Sequence, residues 1–264
     1  MLIDAHTHLN EERLFIHRKK HLEEFQKEWG GIIINSGANP FYNEKGILIA
    51  KEAPADFPNL LVKTTVGIHP CDIKKEYKSQ IEEIEQLYLE NKDNIVAIGE
   101  CGIDLHFPES ESVEIQQEGF RLHAELAKKY QLPLVIHSRD AFEETFEVLK
   151  DFSELKIYIH SRAYSEEDLK KCEHTFPHLR IGINNIFTYP SAKIAREAVL
   201  KRTSAKLLIE TDAPYLPPQS KRGEINYPHY CKYVYEKYCE LTWISKETLE
   251  TEIEQNTREF FNLK

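Results

Sequence analysis

The amino-acid sequence predicts a (β/α)8 barrel, a TIM-type α/β fold, regular or distorted, with a C-terminal helix. Three observations predict it. Short apolar, β-branched runs recur eight times along the 264 residues, with longer charged segments of helical period between them. The runs are continuously apolar instead of alternating, which describes strands covered on both faces and hence a parallel sheet. No glycine-rich turn follows the first run, so the open doubly wound sheet lacks its usual phosphate-binding mark. A barrel of this class commonly needs roughly 250 residues, so residues 1–264 are expected to form a single domain.

The eight runs are Leu2–His6, Gly31–Ser36, Leu61–Gly67, Ile95–Gly99, Leu132–His137, Lys156–His160, Leu179–Ile183 and Lys206–Glu210. Between them the helical spacing of apolar residues predicts helices at Glu11–Lys27, Lys78–Glu90, Glu111–Tyr130, Asp140–Lys150, Glu166–His174, Pro190–Lys201 and Tyr227–Tyr238. Lys246–Phe261 is the terminal helix.

Hydrophobic residues make up 41% of the chain and charged residues 30%, enough for a sizeable core. No apolar run approaches the ~18 residues of a membrane span, and no basic segment with an apolar stretch marks a signal peptide. Five scattered cysteines without a Cys-x-x-Cys pair read as reduced thiols, so a cytoplasmic location is expected. A formal charge of −10 argues against a surface that wraps duplex DNA. It leaves room for an enzyme that grips a strand end, because divalent cations supply positive charge locally. No obligate protein partner is evident.

In a barrel of this kind the site lies at the carboxyl ends of the strands, and those ends are rich in ligand types. The first strand leads into His6-Thr7-His8, whose spacing of two aims both imidazoles to one side of an extended chain. The third ends in His69, the fourth in Glu100 and Asp104, the fifth in His137 and Arg139, the sixth in His160, and the eighth in Glu210-Thr211-Asp212. Four histidines with two carboxylates exceed what one tetrahedral zinc takes. They suit two divalent cations with Glu100 as the bridge: magnesium or manganese in function, with zinc, nickel or iron as ions a purified sample could carry. Such a pair activates water and neutralises charge on a phosphoryl or carbonyl oxygen. Asp212 is the candidate that takes the proton from that water, against a plain ligand or a loop cap before Pro214. Arg139 either holds a phosphate oxygen or pairs with a neighbouring acid. His69 either donates to substrate or caps its loop. Asp4 and Asp104 read as carboxylates that orient imidazoles, with a substrate contact the alternative for Asp104.

The motifs Asp4-x-His6-x-His8, Gly67-Ile68-His69-Pro70, Gly99-Glu100-Cys101-Gly102-Ile103-Asp104, Ile136-His137-Ser138-Arg139-Asp140-Ala141 and Glu210-Thr211-Asp212-Ala213-Pro214-Tyr215-Leu216 stand in the order seen in the TatD family of metal-dependent hydrolases. Arg222-Gly223-x-x-Asn226-x-Pro228 and Asn256-x-x-x-Phe260-Phe261 resemble its C-terminal signatures. The resemblance spans essentially the whole chain. It implies a metal pair on His6, His8, Glu100, His137, His160 and Asp212, the same six that the strand ends single out. It also implies a magnesium-dependent deoxyribonuclease, often a 3′-5′ exonuclease, acting on DNA ends or another phosphoester. The alternative is a hydrolase of a carboxylic ester or amide, such as a D-aminoacyl-tRNA deacylase. A barrel that binds without catalysis is the third reading. The chain departs from the family after His160, where Ser161-Arg162-Ala163-Tyr164 replaces the usual Cys-Phe-Ser-Gly. Arg162 and Tyr164 are thereby candidates for a phosphate-holding and base-stacking rim. Lys221 and Tyr227 also replace residues common in the family.

Overall fold

The computed structural model describes residues 1–161 and 164–264. Eight strands, β1 (Leu2–Thr7), β2 (Gly30–Asn35), β3 (Leu61–Val66), β4 (Ile95–Asp104), β5 (Leu134–Arg139), β6 (Ile157–Ile159), β7 (Leu179–Ile183) and β8 (Leu207–Ile209), pair in parallel in chain order. The continuous apolar runs have the predicted cause. Ile32, Ile33 and Ile34 of β2 are all buried, on the barrel side and the helix side alike.

The outer layer comprises α1 (Glu12–Phe15), α2 (Arg18–Lys27), α3 (Pro40–Asp56), α4 (Tyr77–Glu90), α5 (Val113–Tyr130), α6 (Phe142–Leu149), α7 (Glu166–Thr175), α8 (Lys193–Leu200), α9 (Cys231–Thr242) and the terminal α10 (Lys246–Phe261). No described helix is long and apolar enough to cross a membrane.

The helix expected over Tyr227–Tyr238 is displaced to Cys231–Thr242, behind a 3-10 turn at Pro228–Tyr230, and three further elements differ from expectation. The helix over Glu11–Lys27 is broken into α1 and α2, with His17 outside helical geometry at the start of α2. Helix α3 was not among the predicted segments, because Gly46 and Pro54 lower its helical propensity. It forms because Ile47, Ile49, Ala50 and Ala53 are buried and Gly46 lies against Thr64 of β3. Strand β4 runs to Asp104, past the predicted end at Gly99, because residues Cys101 to Asp104 pair with Ile136 to Arg139 of β5.

The seam between the last and first strands matters for the site. Asp212 N donates to His6 O at 2.9 Å and His8 N donates to Ala213 O at 2.7 Å. These bonds draw the segment just past β8 against the end of β1.

Candidate metal centre

The strand ends bring six donor side chains to one point. His6 Nε2 and His8 Nε2 approach to 3.3 Å, as the spacing of two on β1 requires. His8 Nε2 lies 3.3 Å from Glu100 Oε1 and 3.3 Å from Asp212 Oδ1, while His6 Nε2 lies 3.6 Å from Glu100 Oε2 and 3.7 Å from Asp212 Oδ1. On the other side of Glu100, its Oε2 is 2.8 Å from His160 Nε2 and 3.8 Å from His137 Nδ1. Those two ring nitrogens are 3.1 Å apart. Glu100 Oε1 therefore meets His8, while its Oε2 lies among His6, His137 and His160, and the rings of His6 and His160 stack at 4.0 Å. Imidazole nitrogens converging in pairs on carboxylate oxygens form a donor set that suits cations. Overlapping sets of these donors, His6–His8–Glu100, His6–His160–Asp212 and Glu100–His137–His160, are each close enough together to hold a metal ion.

Electrostatics agree with that use. Burial opposes the charge of Glu100, yet His160, His6 and His8 hold its carboxyl well below the usual range. Burial, reinforced by His160, keeps His6 neutral. Burial also opposes a charge on His8, but Asp212 and Glu100 carry its pKa upward. Asp212 sits at φ 57°, a left-handed conformation that Asp tolerates better than most residues.

The surrounding residues divide by what they touch. Asp104 Oδ2 lies 3.0 Å from His137 Nε2, so that nitrogen carries the proton and Nδ1 is left bare toward Glu100. Asp4 does not orient a ring. Its carboxyl accepts from Thr211 N at 2.9 Å, Thr211 Oγ1 at 2.6 Å and His6 N at 3.3 Å. Lying two residues earlier on β1, it meets the segment past β8 before any imidazole, and burial pushes its pKa up to about 8. His69 Nδ1 accepts from Cys71 N at 3.1 Å, which caps the loop. Burial, with His137 beside it, brings the His69 pKa down to about 3, so the ring is neutral with its proton on Nε2.

Two cavities of about 340 and 390 Å³ open at the centre and share His137, Arg139, His160, Asp212 and Tyr215. Arg139 makes no ion pair among the described residues; its guanidinium carbon lies 5.3 Å from the Phe107 ring centroid. Arg162 lies outside the described residues. Tyr164 is buried, with its ring edge-on to Phe142 at 4.8 Å. It belongs to the core and not to a stacking rim, because packing against Phe142 removes its ring from water.

Two residues carry more than the sequence suggested. Glu210, noted only as part of the last strand end, is buried, accepts from Ser161 N at 2.6 Å and is bonded by the Tyr158 hydroxyl. Burial raises its pKa well above the carboxylate range, and it fixes the turn just after His160. Phe107 lines the smaller cavity beside the donor set. Its one signal in the sequence is an aromatic residue three positions after Asp104.

Comparison with known proteins gives a family. The profile described as TatD related DNase matches residues 3–262. The chain is 31% identical over 265 residues, the full length of both proteins, to the uncharacterized metal-dependent hydrolase YabD of Bacillus subtilis. It is 33% identical over 172 residues to the human 3′-5′ RNA nuclease TATDN2, covering 64% of this chain and 22% of that one. Among solved structures, the TatD homolog YjjV of Escherichia coli superposes with a TM-score of 0.90 at 25% identity, covering 100% of this chain and 98% of that one. A likeness that runs from the first strand to the last helix settles the matter, and this chain belongs to the TatD family of metal-dependent hydrolases.

Proposed function

We propose that the 264-residue chain acts as one hydrolase domain that removes nucleotides from nucleic-acid ends, as a 3′-5′ exodeoxyribonuclease using two magnesium or manganese ions. The observation that carries this reading is Glu100 set among the histidine donors, with Arg139, which makes no ion pair among the described residues, lining both adjoining cavities. The description of the family as TatD related DNase and the nuclease name of the human relative support it.

His6, His8, Glu100 and Asp212 would hold one ion, and Glu100, His137 and His160 the other. Cations held there supply a lowered water pKa and neutralise charge on a phosphoryl oxygen. Asp212 takes the proton from the attacking water, which its place at the cavity wall allows. Arg139 holds a phosphate oxygen through its guanidinium fork. His69, neutral with Nε2–H free to donate, bonds a second oxygen or the leaving group.

The test is a time course on a 3′-labelled single-stranded oligonucleotide with magnesium or manganese, beside His137→Ala. Stepwise, metal-dependent shortening is expected, falling below detection in the variant while its melting temperature in chelator matches wild type. Retained cleavage in the variant would remove the site assignment. Intact DNA with release of amino acid from aminoacyl-tRNA under the same conditions would move the reaction to the carbonyl alternative.

A further inference from the structure

The donor set lies where two cavities meet, and this carries a consequence for how a substrate is seated. One cavity, of about 340 Å³, lies toward β2 to β4 and is walled by Tyr42, Asn39 and Phe107. The other, of about 390 Å³, lies toward β5 to β8 and is walled by Ser138, Ser161, Ile186 and Leu216. Each falls at the low end of the roughly 300–1,000 Å³ that holds a small-molecule ligand. Each therefore has room for one nucleoside and none for a duplex.

The β2–β4 cavity has a held aromatic wall. Phe107 is 40% exposed in the loop after β4. Its ring is flanked by the Arg139 guanidinium carbon at 5.3 Å from its centroid and by the edge-on ring of His106 at 5.2 Å. The loop beneath is tied down as well. His106 N donates to Asp104 Oδ1 at 2.8 Å, Ser110 N donates to Phe107 O at 3.1 Å, and Leu105 N donates to Arg139 O at 3.1 Å. A partly exposed ring braced by two neighbours loses less conformational entropy on stacking than a free one. Its sequence tolerance follows from chemistry, since every base has a π-face.

Resting on the nuclease reading above, we propose that the two nucleosides flanking the cut bond occupy the two cavities separately. The base in the β2–β4 cavity stacks on Phe107, and the scissile phosphate lies at the junction beside Arg139. Phe107 is thus a substrate-binding wall, distinct from the donor set.

The experiment uses the full chain with manganese and three hexadeoxyadenylates. One is intact, one has an abasic terminal nucleotide at the 3′ end, and one has an abasic penultimate nucleotide. Phe107→Ala is expected to raise KM on the intact strand about tenfold, the loss of one base–aromatic stack, with kcat within about twofold. On one of the two abasic strands wild type should already show the raised KM, and the variant should add nothing. Phe107→Trp should restore wild-type KM on the intact strand. An equal loss on all three strands would overturn the proposal, because Phe107 would then act only by holding Arg139. No change on any strand would overturn it too. If wild type cleaves none of the three, the nuclease reading fails and takes this one with it, an outcome that the wild-type lanes distinguish.

Discussion

Glu100 lies within 3.8 Å of all four histidines of the centre, and His137 shows how finely an outer residue sets the ligand atom. With its Nε2 proton directed to Asp104 at 3.0 Å, His137 offers Nδ1 to the centre. Asp104→Ala should therefore weaken metal binding by about 10–100-fold, read by calorimetric titration with manganese. Asp104→Asn keeps an acceptor and should lose less. Unchanged metal affinity with lost cleavage would instead put Asp104 against the substrate. The residue types of this centre were legible in the sequence, because each ligand ends an apolar run. Ring nitrogens were not, since the choice between Nδ1 and Nε2 depends on Asp104, which stands 33 residues away in sequence. Asp4 was misjudged for a related reason: its spacing placed it on the correct strand face but not at the correct depth.

At the scale of elements, β4 and β5 carry two of the six donors, Glu100 and His137, together with Asp104, and their pairing is sensitive to glycine in β4. Gly102 has φ +143° and pairs with His137, and a methyl group there would run into the His137 carbonyl oxygen. Gly223 has φ +89° but open space around the same position. Gly102→Ala should cost more than the ~1–3 kcal/mol of backbone strain alone, and it should abolish cleavage by displacing His137. Gly223→Ala should cost only that strain. Differential thermal melting checks the pair, and equal losses would show that steric contact with His137 is unimportant. Helix α3 belongs to this scale too. Its helical state was hidden by Gly46 and Pro54, because propensity is local while burial against β3 is not.

Across the whole molecule, stability should depend on pH through His123, which links α5 to the end of β3. Its Nε2 accepts from Ile68 N at 3.0 Å and its Nδ1 donates to Gly119 O at 2.8 Å. Burial lowers its pKa from 6.5 to about 4. Between those values the unfolded chain binds the proton and the folded one does not. The contribution is thus complete above pH 6.5 and is lost as pH falls toward 4, by about 3 kcal/mol at most. The stability difference between wild type and His123→Gln should shrink over that window, read by urea unfolding. Subtracting the variant cancels the titration of the metal centre. A constant difference would show that His123 titrates normally in the fold.

Strand order, the parallel sheet and the order of ligand types along the chain were all readable from the residues in succession. These follow from local periodicity: apolar runs that need cover on two faces, and side chains that repeat every two residues on a strand. Tertiary structure alone decided which atoms meet. Closure of the barrel brings Asp212 to within 3.3 Å of His8, the loop after β4 sets Phe107 against Arg139, and Tyr164 turns into the core. Such distances are properties of packing between segments remote in sequence, and no periodicity along the chain encodes them.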